Sequence, residues 1–361
     1  MKPAEPEKYR GLLYPWGRNF GPQPTEPVEV ADGVWWARFK MPMSLDHINV
    51  WLLRDGDGWT IVDTCMSIPG AREQWEALFE GFMQGLPVKR VIATHMHPDH
   101  VGLAGWIGER FGCSLWMTRA EYLTCRLMAA DTQSDIPEVA LNFYRSLGWN
   151  ERQLDRYKKR FGGFGSVIHE LPKSYHRLVD SMTIDIGGRY WQVVIGSGHS
   201  PEHAALYCPA LKLLISGDQV LPRITSNVSV YPIEPDGDPL HSWIRSCSRI
   251  RERLPENLLV LPAHQTPFYG LHERLTQLIE SHERALEQLY AFLAEPRRVV
   301  DCFVVLFNRE IDDSVVQMAS GEAHAHLNCL INRRLARMEM DSDGVMWFTQ
   351  RPESMEIEDL I

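Results

Sequence analysis

The chain has 361 residues, 44% hydrophobic and 23% charged, with a formal net charge of −10 at pH 7. That length and apolar content suffice for one large folded domain and a smaller one, while the acidic balance argues against a general electrostatic grip on nucleic acid or an anionic membrane. No apolar run reaches the roughly 18 residues of a membrane span, and the N-terminus lacks the charged-then-apolar layout of a secretory signal, so a cytoplasmic location is expected. Seven cysteines are scattered without a C-x-x-C pair, which predicts reduced, mostly buried thiols.

The first 27 residues carry six prolines and predict an extended arm over the surface. VEVADGVWWARFK and HINVWLLRDGDGWTIVDT then read as hairpins turning at Asp32-Gly33 and at Asp55 to Gly58. PGAREQWEALFEGFMQ presents Trp75, Leu78, Phe79 and Phe82 on one helical face, with Pro69 suited to the first turn. VKRVIATH is a buried strand, HVGLAGWIGERFG a helix closed by Gly112, and SLWMT another strand, an alternation that implies a layered α/β domain.

Residues 119–173 depart from that rhythm, with helices predicted at Ala120–Ala130, Pro137–Leu147 and Glu151–Arg160. This insertion carries Leu123, Leu127, Ile136, Val139, Phe143, Tyr144, Leu147 and Tyr157, enough apolar surface for a helical cap. The glycines of Phe161–Gly165 have no helix signal behind them and read as a flexible turn rather than a phosphate loop. Strands resume with SMTIDIGGRYWQVVIGSG and HAALYCPALKLLISGD, then a helix near Pro239–Leu254 and the strand LLVLPAH. A long helix from Gly270 leads to EAHAHLNCLINRRLARM and a hairpin turning at Asp341–Gly344, the outline of a winged-helix module in which His324 and His326 are expected at the surface.

The densest chemistry lies in IATHMHPDHV. A strand ending at Thr94 delivers His95, His97, Asp99 and His100 onto the loop at its carboxyl edge, where open α/β layers place ligands. Imidazole and carboxylate donors suit zinc, iron or manganese. A solvated polar loop is the plainer alternative, but Gly198-His199-Ser200, Ser216-Gly217-Asp218 and Pro262-Ala263-His264 add the same donor types, each directly after an apolar run.

Together these positions resemble the metallo-β-lactamase superfamily, whose pattern is H-x-H-x-D-H followed by a distant His, Asp and His, and within it the glyoxalase II-like hydrolases. The match covers roughly Val28 to Tyr269. The resemblance implies a four-layer αββα sandwich (residues 28–269, with 119–173 inserted), preceded by the arm 1–27 and followed by a helical, winged-helix-like domain at 270–361. It implies two divalent metal ions, zinc first with iron or manganese as alternatives, held by His95, His97 and His199 and by Asp99, His100 and His264. Asp218 would bridge them, Asp99 and Asp218 would be the catalytic carboxylates, and a metal-bridging hydroxide would be the nucleophile.

By the same resemblance, the metal-orienting aspartate of the V-D-T motif falls on Asp63, and His203 has a counterpart beside the site. His47 and Arg223 are substrate-contact candidates on their position in the chain, Arg223 for an anion. A cysteine is missing where the commonest zinc β-lactamases carry one (Asp218 here), and a glutamate is missing where flavin-linked di-iron relatives carry one (His97 here), which disfavours both chemistries. The expected reaction is hydrolysis of a small acyl substrate, a thioester, ester or lactone, without membrane association and with a homodimer in view. Alternatives are a single-strand endoribonuclease or phosphodiesterase, favoured only by the basic stretches RQLDRYKKR, RSCSRIRER and NRRLAR; a mono-iron persulfide dioxygenase; and a non-catalytic metal-binding regulator.

Overall fold

The predicted hairpin turns close antiparallel pairs: Ala31 faces Val34 across Asp32-Gly33, and Asp55 faces Gly58. A computed structural model describes residues 5–132 and 135–351. Strands β1 (Glu7–Tyr9) to β6 come first, with β2 (Leu12–Tyr14), β3 (Val28–Ala31), β4 (Val34–Lys40), β5 (His47–Asp55) and β6 (Gly58–Val62). Helix α1 (Ala71–Ala77), β7 (Val88–Ile92), α2 (Pro98–Val101), α3 (Ala104–Phe111), β8 (Ser114–Thr118), α4 (Arg119–Ala130), α5 (Glu138–Ser146) and α6 (Glu151–Arg160) follow. The chain continues through β9 (His176–Leu178), β10 (Thr183–Ile186), β11 (Arg189–Gly196), β12 (His203–Cys208), β13 (Leu213–Gly217), α7 (Pro239–Arg253), β14 (Leu259–Pro262) and β15 (Phe268–Tyr269). Last come α8 (Leu271–Phe292), α9 (Phe303–Leu306), α10 (Val316–Asn332), β16 (Ala336–Met340) and β17 (Met346–Gln350).

A seven-stranded sheet runs β3-β4-β5-β6-β7-β8-β9, and an eight-stranded sheet runs β1-β2-β15-β14-β13-β12-β11-β10. They pack face to face on Trp36, Trp51, Val62 and Ile92 from one and Trp191, Val193, Leu206 and Leu261 from the other. The other face of the seven-stranded sheet buries Phe39, Val50, Ile61 and Val91 under Trp75, Phe79 and Ile107. Beyond the second sheet lies the end of α7, where Arg249 donates to the Ile195 carbonyl (2.8 Å) and Ser246 accepts from the Ser197 N–H (3.0 Å). Helix, sheet, sheet, helix is the expected four-layer order.

The N-terminal arm, expected to run extended over the surface, pairs as the β1–β2 hairpin at the edge of the eight-stranded sheet, where Leu13 pairs with Tyr269. Leu12 and Tyr14 are fully buried, because the prolines leave this short apolar stretch uninterrupted.

The described residues fall into two compact units: one takes residues up to 132, 162–226 and 246–276, and the other takes 135–161, 227–245 and 277–351. The contiguous ranges 28–269 and 270–361 expected from sequence differ from this division. The 119–173 insertion divides too: α4 belongs to the first unit, α5 and α6 to the second. Aromatic packing is the physical reason, since Tyr144 stacks on Trp149 (4.2 Å), Gln317 donates to the Tyr144 hydroxyl (3.2 Å) and Trp149 Nε1 donates to Ser320 Oγ (2.8 Å). Leu123, Leu127 and Val139 remain largely exposed.

In the second unit α10 is buried along most of its length, and the surface position expected for His324 and His326 is wrong: both are nearly inaccessible. The helix is covered on several sides, with consecutive residues from Ala323 to Leu330 all buried. All seven cysteines are free thiols, as expected. Among the described residues no helix is long and apolar enough to cross a membrane.

Candidate metal centre

Strand β7 ends at Ile92, and the following turn carries His95 and His97 before Pro98 opens the short α2 with Asp99 and His100 in it. Proline at the first helical position costs no hydrogen bond, so the turn tightens at once and returns His100 towards the strand ends. His199 follows β11, Asp218 follows β13 and His264 follows β14, each leaving the adjacent edge of the other sheet. Sheet pairing thus brings residues up to 169 positions apart in sequence onto one rim.

The seven side chains form two groups. Ligand atoms of His95, His97, His199 and Asp218 lie within 4.8 Å of one another, as do those of Asp99, His100 and His264. Asp218 touches both: its Oδ2 is 3.4 Å from His199 Nε2 and 3.6 Å from His100 Nε2, and its Oδ1 is 3.3 Å from His264 Nε2. His264 Nε2 is also 3.3 Å from Asp99 Oδ2.

Hydrogen bonds outside this ring set which imidazole nitrogen faces inward. The Asp63 carboxylate accepts from the Thr94 N–H (2.8 Å), the Thr94 hydroxyl (2.9 Å) and His100 Nδ1 (2.8 Å). Because the Thr94 proton goes to that carboxylate, its oxygen accepts from His95 Nδ1–H (3.1 Å). His264 Nδ1–H donates to the His47 carbonyl (2.7 Å). In all three rings Nε2 is therefore the atom turned to the centre, the arrangement a metal requires. The Nε2 atoms of His100 and His264 and Oδ1 of Asp218 are buried without a hydrogen-bond partner, a costly state that a divalent cation relieves.

The electrostatics of the two groups differ. Burial, followed by repulsion from neighbouring histidines, holds His95 well below its ordinary value and His97 at about 3, so these rings stay neutral with lone pairs available. Burial would also lower His100 and His264, but Asp63, Asp99 and Asp218 raise the first well above its usual value, and Asp218 and Asp99 raise the second to about 10. Against their own desolvation, the histidines hold Asp99 at about 2 and Asp218 far below the carboxylate range. The carboxylates thus place strong negative potential where the unpartnered nitrogens converge, and the donor set of five imidazoles and two carboxylates fits two divalent ions.

The remaining sequence candidates lie around this ring. Asp63 and Cys65 adopt left-handed backbone (φ 63° and 76°), and so does Gln265 (φ 71°), strain concentrated where the ligands are held. His203 is fully buried and accepts the Asp218 N–H at Nε2 (3.1 Å), which makes it a positioning group for Asp218. That contact requires glycine before Asp218: a Cβ on Gly217 (φ +51°) would sit 2.5 Å from His203 Nε2. His47 contributes its carbonyl to His264, while its ring donates from Nδ1 to Asp46 (2.5 Å) and accepts the Gln265 N–H at Nε2 (2.8 Å). Arg223 lies outside the ligand ring, in a cavity beside His47 and Gln265.

One residue was not anticipated. Glu121, in the first turn of α4, is fully buried and accepts from the Met96 N–H (2.9 Å) and the Glu202 N–H (2.7 Å), clamping the loop of His95 and His97 to the loop of His199. In sequence it reads as an ordinary acid at a helix N-terminus.

A model of the metallo-beta-lactamase superfamily matches residues 43–287, and one of a metallo-beta-lactamase-like C-terminal domain matches residues 286–351. A solved beta-lactamase domain protein from Burkholderia ambifaria is 39% identical, with a TM-score of 0.87 over 94% of this chain and 98% of that one. The probable metallo-hydrolase YqjP of Bacillus subtilis is 24% identical over 72% of this chain and 79% of its own length. The human acyl-coenzyme A thioesterase MBLAC2 is 26% identical over 70% of this chain and 85% of its own length. The ring of histidines and aspartates, the two packed sheets and these matches agree: the chain belongs to the metallo-beta-lactamase superfamily and is a metal-dependent hydrolase of that fold.

Proposed function

We propose that the protein holds two divalent ions, zinc by donor type, and hydrolyses a thioester, ester or lactone. The observation that carries this reading is Asp218, whose two oxygens face both groups of ligands at 3.3 to 3.6 Å. His95, His97 and His199 would hold one ion and Asp99, His100 and His264 the other. When bound, the pair supplies an acidified water and a Lewis acid for the acyl oxygen, so no nucleophilic side chain and no acyl-enzyme are needed. Asp99 and Asp218 keep the centre compact by offsetting its charge, and Asp63 and the His47 carbonyl keep His100 and His264 in the ligating tautomer.

The thioesterase relative supports a thioester first. The basic stretches favour RNA less than their composition suggests, because several of their arginines are paired within the chain. Arg333 grips Glu283 with two bonds of 2.6 and 2.8 Å, Arg253 binds Asp180 and Arg251 binds Thr276.

The test combines metal analysis of the purified protein with a screen of acyl thioesters, lactones and bis(p-nitrophenyl) phosphate. Two metal equivalents per chain and fastest turnover on an acyl substrate are expected. Faster cleavage of single-stranded RNA, lost on neutralising Arg333, Arg334 and Arg337, would overturn the reading.

A further inference from the structure

A cavity of about 230 Å³ opens beside the metal centre, lined among others by Arg18, Asn19, Arg38, Asp46, Arg223 and Gln265. Gln265 directly follows the ligand His264 and organises the wall. Its carbonyl accepts from Arg38 (2.6 Å), its side-chain oxygen accepts from the Arg223 N–H (3.0 Å) and its own N–H is held by His47.

The charge here is incompletely neutralised. Arg18 is paired with Glu7 (2.7 Å), but among the described residues neither Arg38 nor Arg223 has a carboxylate within ion-pair distance. Arg38 spends its bonds on the neutral Asn49 Oδ1 and the Gln265 carbonyl. Arg223 has only a long contact to Asn19 Oδ1 (3.4 Å), and its Nε is buried with no hydrogen-bond partner. The one carboxylate in the lining, Asp46, is mostly exposed and bonded to the His47 ring. Two guanidiniums without counter-ions, set in a chain of net charge −10, mark a place built for an anion.

We propose that this cavity is a subsite for a phosphoryl group carried by the substrate away from its scissile bond. A phosphoryl group brings several charged oxygens to such a basic lining: Arg223, whose Nε is buried and unpartnered, is the donor left to meet it, and Arg38 and Arg18 add positive charge beside it. The cavity is smaller than the roughly 300 Å³ at which pockets begin to take a whole drug-sized ligand, so it accepts a headgroup while the acyl part lies at the metals. The inference rests on the thioester reading and deepens it: the leaving thiol is phosphorylated.

Steady-state kinetics on the metal-loaded enzyme compare an acyl-coenzyme A with the pantetheine thioester of the same acyl group, which lacks every phosphoryl group. The wild type is expected to favour the phosphorylated substrate in kcat/KM. Arg223→Gln should reduce that preference about 10–100-fold, the value of a charge-assisted hydrogen bond, and Arg223→Lys should reduce it less. Arg110→Gln, an equal change in charge on a distant surface, should leave the preference intact. Calorimetric titration with adenosine 3′,5′-bisphosphate gives a readout apart from turnover: affinity should fall at least 10-fold in Arg223→Gln at unchanged metal content. Equal kcat/KM for the two thioesters, or bisphosphate binding that survives in Arg223→Gln, overturns the subsite and leaves the thioester reading standing. Arg223-dependent bisphosphate binding without hydrolysis of any thioester upholds the subsite and removes that reading.

Discussion

Asp63 shows how much a single side chain can do without touching a metal. One carboxylate fixes the Thr94 backbone, the Thr94 hydroxyl and the His100 ring, and through Thr94 it sets the His95 tautomer as well. Asp63→Ala should therefore weaken metal affinity about 10–100-fold, read by competition against a chelator; unchanged affinity would reduce Asp63 to a purely structural role. Asp218→Ala should be more severe, because it removes the anion shared by both groups: metal content and activity should vanish together. A variant that kept two ions per chain would show that Asp218 is no bridge. The seven-residue ring was readable in sequence because four members fall within six residues and the rest each end an apolar run. The tautomer-setting His47 carbonyl was not readable, since any residue supplies a carbonyl, and its position depends on β5 meeting the turn after β14.

At the scale of elements, strands with alternating or continuous apolar residues were placed correctly from sequence, as β4 to β8 and β10 to β14 show. The short ones were not: β1, β2, β9 and β15 have two or three residues each, too few for a period to emerge, and exist because a sheet edge lies beside them. Glu121 escaped for a related reason, since its partners are backbone N–H groups from loops 25 and 81 residues away. Burial pushes the pKa of its carboxyl above the ordinary value, partly countered by bonds from Ser200, Glu202 and Met96. Glu121→Gln offers only one acceptor oxygen and turns an amide donor towards a backbone donor. It should cost about 1–3 kcal/mol in urea unfolding and loosen both histidine loops, lowering metal affinity as well. A full retention of metal affinity at reduced stability would mean that α4 braces the fold alone.

For the whole molecule, acid should act on two separate sets of histidines, one in each compact unit. In the first unit protons compete with metal for His95, His97, His100, His199 and His264. In the second, His282, His324 and His326 are buried, none of them in an ion pair among the described residues, and His282 Nδ1 lies 3.4 Å from His326 Nε2. Burial first, then mutual repulsion, lowers His282 to about 3; burial lowers His324 and His326 to about 4, against weaker support from the Pro235 carbonyl and Asp236 for the first and the Glu322 carbonyl for the second. The sign follows from where the protons sit: unfolded histidine binds one below about pH 6.5, the folded rings do not until about pH 4, so the unfolded state gains as pH falls between those limits. Each ring should then remove up to about 1.4 kcal/mol of stability per pH unit across that window, with little further loss below it. Urea unfolding of the metal-loaded chain at pH 7, 6 and 5 measures the slope. His282→Gln and His326→Gln should each flatten it by about one ring's share while leaving metal content at pH 7 unchanged. An unaltered slope in both variants would assign the acid sensitivity to the metal centre alone.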